Sequence, residues 1–132
     1  MEINKIFWGM DISASGMRAE KRRMEVFANN LANINTTRTQ EGGPYRRQEA
    51  VLQAGPNLTG VQVVGIKRSQ NFRMVYDPEH PDADQYGYVR YPDINLVEEW
   101  TKMITASRAY EANISAFNLQ KQNYIRTLDI LR

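Results

Sequence analysis

A chain of 132 residues is one ordinary domain's worth, and its 42% hydrophobic and 24% charged residues exclude wholesale disorder. It has no cysteine and a single histidine, His80, which removes disulfides, zinc ribbons, iron–sulfur sites, thiol catalysis and His-based triads and leaves an enzyme disfavoured. The net charge of +2 divides into +5 over residues 1–74 and −3 over residues 75–132, a polarity that can steer two halves or two copies together without demanding nucleic acid.

The first segment carries Ile3, Met10, Met17, Met24 and Leu31 seven apart, with Ile6, Phe27 and Ile34 three further on. That spacing predicts an α-helix that packs against another helix. Ser13 and Glu20 interrupt the second row, and Gly9 and Gly16 weaken the early turns by about 1 kcal/mol each. A firm helix is therefore expected from Ser15 to Ile34, conditional before that. Asn29, Asn30, Asn33 and Asn35 crowd its end, where asparagine favours caps and turns. The opening residues lack a basic stretch followed by an apolar core, so no cleaved secretory signal is expected.

The middle has a different composition. Residues 36–44 read as a turn-rich linker, 45–53, 60–67 and 72–76 as β-type runs, and 85–91 as a last short strand. Residues 77–84 form a polar loop with two prolines. Strands this short make a small β module that is marginal alone.

The last third repeats the helical device. Leu96, Met103, Tyr110, Phe117, Tyr124 and Leu131 share one heptad position, and Trp100, Ser107, Ile114, Lys121 and Leu128 fill the other half of the expected seam. About 36 residues of this pattern make roughly 54 Å of helix, against a radius of gyration of about 14 Å for a compact globule of this size. Such a helix projects and needs partners. The fold class expected is mainly α, an antiparallel coiled-coil-like pair of long terminal helices with a small β insert. The divisions are residues 1–35, 36–92 and 93–132. The charges support the pairing, because the first helix carries Arg18, Lys21, Arg22 and Arg23 while the last begins with Asp93, Glu98 and Glu99.

Candidate chemistry is sparse. Asp77, Glu79, His80, Asp82 and Asp84 could hold a divalent cation, but their spacing matches neither an EF-hand nor HExxH, and Pro78 and Pro81 favour a stiff surface loop. No metal or other cofactor is expected. The basic residues of the first helix, with Arg38, Arg46 and Arg47 downstream, allow an alternative reading as a nucleic-acid-binding helical adaptor. No stacking-aromatic motif accompanies them, and Glu20 and Glu25 intersperse them, so a solvated or subunit-facing helix surface is preferred. No apolar run approaches the roughly 20 residues that span a bilayer, so the chain is not expected to be membrane-embedded.

Two stretches carry a family resemblance. Residues 9–20 (GMDISASGMRAE), 28–36 (ANNLANINT) and 41–48 (EGGPYRRQ) resemble the N-terminal signature of flagellar rod and hook proteins, whose core is Asn-Ile-Ala-Asn-x-x-Thr. Here that core is Asn30, Leu31, Ala32, Asn33, Ile34, Asn35 and Thr36. Residues 103–113 (MITASRAYEAN), with Ser107, Tyr110, Glu111 and Asn113, are similar to the C-terminal helix signature of the same proteins. The loop at 75–84 and Gly87-Tyr-Val-Arg90 narrow the likeness to the proximal-rod subunits. Leu31 and Ile34 depart from the commoner Ile and Ala, and Gln40 stands where proline is usual.

The resemblance implies a structural subunit exported by the flagellar type III apparatus without a cleaved signal. Such a subunit polymerises with copies of itself and other rod proteins into a helical tube crossing the periplasm. The packing residues expected from the seven-residue spacing are Met10, Met17, Met24, Phe27, Leu31 and Ile34 on the first helix. On the last they are Leu96, Trp100, Met103, Tyr110, Ile114, Phe117, Tyr124, Leu128 and Leu131. Asn30, Asn33 and Asn35 are expected to cap the first helix and turn the chain out of it.

Overall fold

The computed structural model describes residues 2–132, with the side chains of Glu2, Ile3 and Ile6 outside the description. The expected packing of Ile3 and Ile6 therefore lies outside the described residues. Two long helices, α1 (Glu2–Ala32) and α2 (Leu96–Ile130), enclose four short strands in sequence. These are β1 (Gln48–Ala54), β2 (Val61–Arg68), β3 (Phe72–Tyr76) and β4 (Tyr88–Pro92). The chain is mainly helical with a small β insert, as the periodicity predicts.

The helices run antiparallel, and four contacts fix the register. Gly9 meets Gln120, Gly16 meets Asn113, Asn30 meets Glu99, and the Phe7 and Tyr124 rings lie 5.1 Å apart. Positions rising along α1 meet positions falling along α2. The N-terminus of α2 is capped by Asn95, whose side chain accepts from the Glu98 N–H at 3.1 Å. Glu98 and Glu99 in its first turn complement the helix dipole. The first helix begins earlier and ends sooner than propensity suggests. It is helical from Glu2 and stops at Ala32, so Ile34 lies in the turn that follows.

The β insert is two separate antiparallel pairs, β1 with β2 and β3 with β4, rather than one module. The first pair has a bulge. Val51 faces Gly65 and Leu52 faces Val63, which leaves Val64 as the extra residue. This hairpin lies along α1. Gln48 is held at Asn30 and Val61 at Ser15, and fifteen helical residues span about 22 Å, close to the length of a seven-residue strand. At the hairpin's far end Gly60 has φ +71, and a Cβ there would lie 2.2 Å from the Ser15 hydroxyl. Only glycine allows that approach.

The last strand begins at Tyr88 instead of at residue 85. The Asp84 carboxylate accepts from the Tyr86 and Tyr88 N–H groups at 2.8 and 2.9 Å and closes a turn there. Buried apolar residues are few among those described: Ala19, Val26 and Phe27 on α1, Ala106 on α2, and Val89 and Ile94 near β4. The accessible surface is 9458 Å². A compact monomer of this mass exposes about 7,100 Å², so the excess is roughly 2,300 Å².

Candidate assembly interface

The seam between the helices is not the one the apolar pattern predicts. On α2 the expected row of Met103, Tyr110, Phe117 and Tyr124 is half-buried. Its other half is Glu99, Ala106, Asn113 and Gln120, one residue before the row of Trp100, Ser107, Ile114 and Lys121. Glu99 and Ala106 are buried, whereas Trp100, Lys121, Leu128 and Leu131 are exposed, as is Leu96. Ile114 and Ser107 are half-buried at the seam's flank.

Among the α1 residues that touch α2 are Phe7, Gly9, Ser13, Gly16 and Asn30. Phe27 is buried, while Met10, Met17, Met24 and Leu31 are half-buried beside them. The helices meet through small and polar side chains because that lets the backbones come close. A Cβ at Gly16 would lie 2.7 Å from Asn113 Nδ2, and one at Gly9 would lie 2.8 Å from Gln120 Nε2. The amides of α2 thus rest on bare α1 backbone. Ser13, which interrupts the apolar row, is buried and donates to Gln120 Oε1 at 3.3 Å.

The most enclosed polar group is Asn30, 0% exposed beside Glu99 at 1%. Its Nδ2 donates to the Gln48 carbonyl at 2.8 Å and to Glu99 Oε2 at 3.1 Å. Its Oδ1 accepts from the Gln48 N–H and the Tyr45 hydroxyl, both at 2.9 Å. Both donors and both acceptor sites of the amide are used. Asn30 therefore does not cap the helix; it ties α1, α2 and the start of β1 together. Glu99 also has Arg47 at 3.6 Å and Lys102 at 4.0 Å. Burial first, then the Glu99 charge, raises the Tyr45 hydroxyl above its ordinary pKa.

Asn33 stands at the exit from α1. Its amide donates to the Asn29 carbonyl at 2.8 Å and accepts from the Thr36 hydroxyl at 3.1 Å, closing the exit turn. Asn35, Ala32 and Glu111 are exposed and Thr36 is half-buried.

The basic residues of α1 are partly engaged. Arg22 pairs with Glu25 at 3.0 Å, and Arg23 pairs with Glu20 at 3.1 Å while lying 5.6 Å over the Phe27 ring. Downstream, Arg46 Nε donates to the Ser69 carbonyl at 2.9 Å. In the 77–84 loop the Asp82 carboxylate accepts from the Thr37 hydroxyl at 2.8 Å and pairs with Arg38. Thr37 first, then Arg38, holds it below its ordinary pKa. His80 Nδ1 accepts from the Asp82 N–H at 3.0 Å. Among the described residues no three His, Asp or Glu side chains converge as metal ligands. No described helix is long and apolar enough to cross a membrane.

What the helix pair leaves open is a second apolar row. Leu96, Trp100 and Ile104, one turn apart on α2, are 51, 49 and 50% exposed. Phe7 and Trp8 on α1 and Ile125 and Leu128 on α2 are similarly open at the opposite end of the pair.

Comparison with known proteins places both helices. A family described as "Flagella basal body rod protein" matches residues 10–40, and one described as "Flagellar basal body rod FlgEFG protein C-terminal" matches residues 85–130. The chain is 45% identical over 129 residues to the flagellar basal-body rod protein FlgC of Aquifex aeolicus, covering 94% of this chain and 96% of that protein. It is 38% identical over 149 residues to FlgC of Borreliella burgdorferi, covering 96% and 98%. With FlgC of Bacillus subtilis it shares 34% identity over 145 residues, covering 94% and 97%.

Proposed function

The chain belongs to the FlgC family of flagellar basal-body rod proteins and is a structural rod subunit, not an enzyme; from this we propose how its helices build the rod. Residues 1–35 and 93–132 form the rod domain, and residues 36–92 form an insert on its outside. Within the domain the two helices pack in a coiled-coil-like way. The half-buried row of Met10, Met17, Met24 and Leu31 and the exposed residues Leu96, Trp100, Leu128 and Leu131 face neighbouring rod proteins and copies of the chain. Side by side the subunits form a tube that crosses the periplasm, transmits torque and encloses the export channel. The chain reaches it through the flagellar type III apparatus without a cleaved signal.

The observation that carries this reading is the row Leu96, Trp100 and Ile104, half-exposed on a helix whose other face is already paired. Covering the exposed half of each such side chain contributes about 1 kcal/mol, so association rests on many modest contacts. This suits a shaft that must bear load without chemistry. The test is the double substitution Trp100→Asp with Ile104→Asp in the full-length chain. The purified variant keeps its helical circular dichroism, because neither residue lies in the intrachain seam. In cells lacking the wild-type gene it is absent from isolated basal bodies and motility is lost. Incorporation of this variant into motile basal bodies refutes the assignment of that face.

A further inference from the structure

The helices are one apolar surface left open; the outer face of the β3–β4 pair is another. Pairing of Met74 with Arg90 and of Tyr76 with Tyr88 puts these four residues on one face, opposite the face that buries Val89. Met74 is 52% exposed, Tyr76 65%, and neighbouring Tyr86 72%. A solvated sheet face ordinarily carries polar residues. Aromatic, Met and Arg side chains are instead the ones enriched at the centres of protein interfaces.

The face is also held in shape before anything binds. The Tyr76 and Tyr88 rings meet edge to face at 5.3 Å, and the Arg90 guanidinium lies 6.0 Å over Phe72. Gly87 contributes too, because a Cβ there would stand 2.9 Å from the Tyr76 ring. Fixing the rings beforehand lowers the ordering cost of association. The loop that follows β3 is acidic. It contributes Asp77 and Glu79, while its other carboxylates, Asp82 and Asp84, are already engaged by Arg38 and by the Tyr86 and Tyr88 N–H groups.

A complementary surface exists elsewhere on the same chain. Between α1 and β2 runs a groove of about 300 Å³ lined by Ser15, Arg18, Ala19, Arg22, Val61 and Val63. Ala19, Val61 and Val63 make part of its lining apolar, and Arg18 and Arg22 make part of it basic, with Arg22 also paired to Glu25 at 3.0 Å. The two surfaces cannot meet within one chain. The acidic loop is anchored at Thr37 and Arg38, beyond the end of α1, and Arg18 lies fourteen residues before that end, about 21 Å along the axis.

We propose that the tyrosine face of β3–β4, with Asp77 and Glu79 of the loop that follows β3, docks on the Arg18–Arg22 groove of a second copy of this chain. Two different patches joined this way make a heterologous contact, which propagates as an open helix instead of closing a dimer. The inference rests on the rod reading for its setting. It adds a contact in the β layer, outside the helices, between like subunits.

The absence of cysteine gives a clean background for the test. Arg18→Cys and Glu79→Cys are placed together in the full-length tagged chain, and isolated basal bodies are treated with a short bis-maleimide. A product of twice the chain's mass is expected, and each single-cysteine chain gives none. A charge swap supplies the second arm. Arg18→Glu with Arg22→Glu lowers incorporation about tenfold, and adding Asp77→Arg with Glu79→Arg restores it, as reciprocal charges at a close contact should. Incorporation of the double-cysteine chain without the dimer product overturns the contact while leaving the rod reading intact. A product with the mass of a different rod protein overturns the choice of a second copy. A wild-type tagged chain missing from basal bodies removes both readings.

Discussion

Asn30→Ala tests the tie between the helices most directly. The substitution removes four hydrogen bonds, all between 2.8 and 3.1 Å, from a side chain with no exposed surface. Tyr45 is half-buried and its hydroxyl can turn to water, so its loss is small. The Gln48 N–H and carbonyl lose their partners beside a helix, and Glu99 keeps only cations at 3.6 and 4.0 Å. Each orphaned buried group costs about 1–3 kcal/mol, and a total near 3–5 kcal/mol follows. That is a large share of the roughly 5–15 kcal/mol that holds an ordinary domain together. Urea unfolding followed by circular dichroism measures it, and the midpoint falls by about 2 M for a chain with an m-value near 2 kcal/mol/M. Asn33→Ala is the control. Its amide works at the exposed exit turn, so it costs about 1 kcal/mol or less. Equal losses in the two variants, or a loss below about 1 kcal/mol for Asn30→Ala, would refute the reasoning.

Two further outcomes follow from the same geometry. Gly16→Leu pushes α2 away from α1, because a Cβ already meets the Asn113 amide at 2.7 Å; thermal unfolding should show a loss of about 1–3 kcal/mol, and wild-type stability would sink the close-packing account. Tyr45 has a folded-state pKa raised above 10, so its contribution is complete below the unfolded value and lost as pH rises through the folded one; Tyr45→Phe should therefore flatten the alkaline fall in stability, and an unchanged slope in a titration above pH 10 counts against that cause.

The parts legible in the sequence are those set by local pattern. The row Met103, Tyr110, Phe117 and Tyr124 repeats every seven residues with side chains that only burial rewards, and all four are half-buried, whereas Leu96 and Leu131 at its ends are exposed. The turn residues around 55–60 and 77–87 divide the strands to within a few residues. The complementary row escaped because Glu99, Asn113 and Gln120 are residues a hydrophobic pattern assigns to solvent. That pattern placed the seam one residue later, at Trp100 and Ile114. Gly9 and Gly16 read as weaknesses when only propensity is counted; their use appears once the second helix lies across them. Asn30 stands out in the motif, but its partners Gln48 and Glu99 are 18 and 69 residues away. No local spacing encodes that distance. Pairing of β1 with β2 and of β3 with β4 is a long-range outcome of the same kind.

The division of residue types between the two faces of α2 has a physical logic. In a shaft made of many similar helices, apolar stripes alone would pair in several registers at nearly equal cost. Along this seam Gly9 meets Gln120, Gly16 meets Asn113 and Asn30 meets Glu99, a ladder stepping by whole heptads from both ends. A slip of one turn would set Gln120 and Asn113 against side chains instead of bare backbone. It would also leave the Glu99 carboxylate, 1% exposed, without the Asn30 amide. Leaving these buried hydrogen-bonding groups unpaired costs about 1–3 kcal/mol each, more than the few tenths to 1 kcal/mol that separate alternative apolar packings. The inner face therefore fixes register and direction. The apolar side chains Leu96, Trp100 and Ile104 stand outward, where the proposed assembly contacts lie. Under that proposal they are covered only in the assembly, and the stability of each subunit would then depend on its neighbours, as mass action requires of any surface buried by binding.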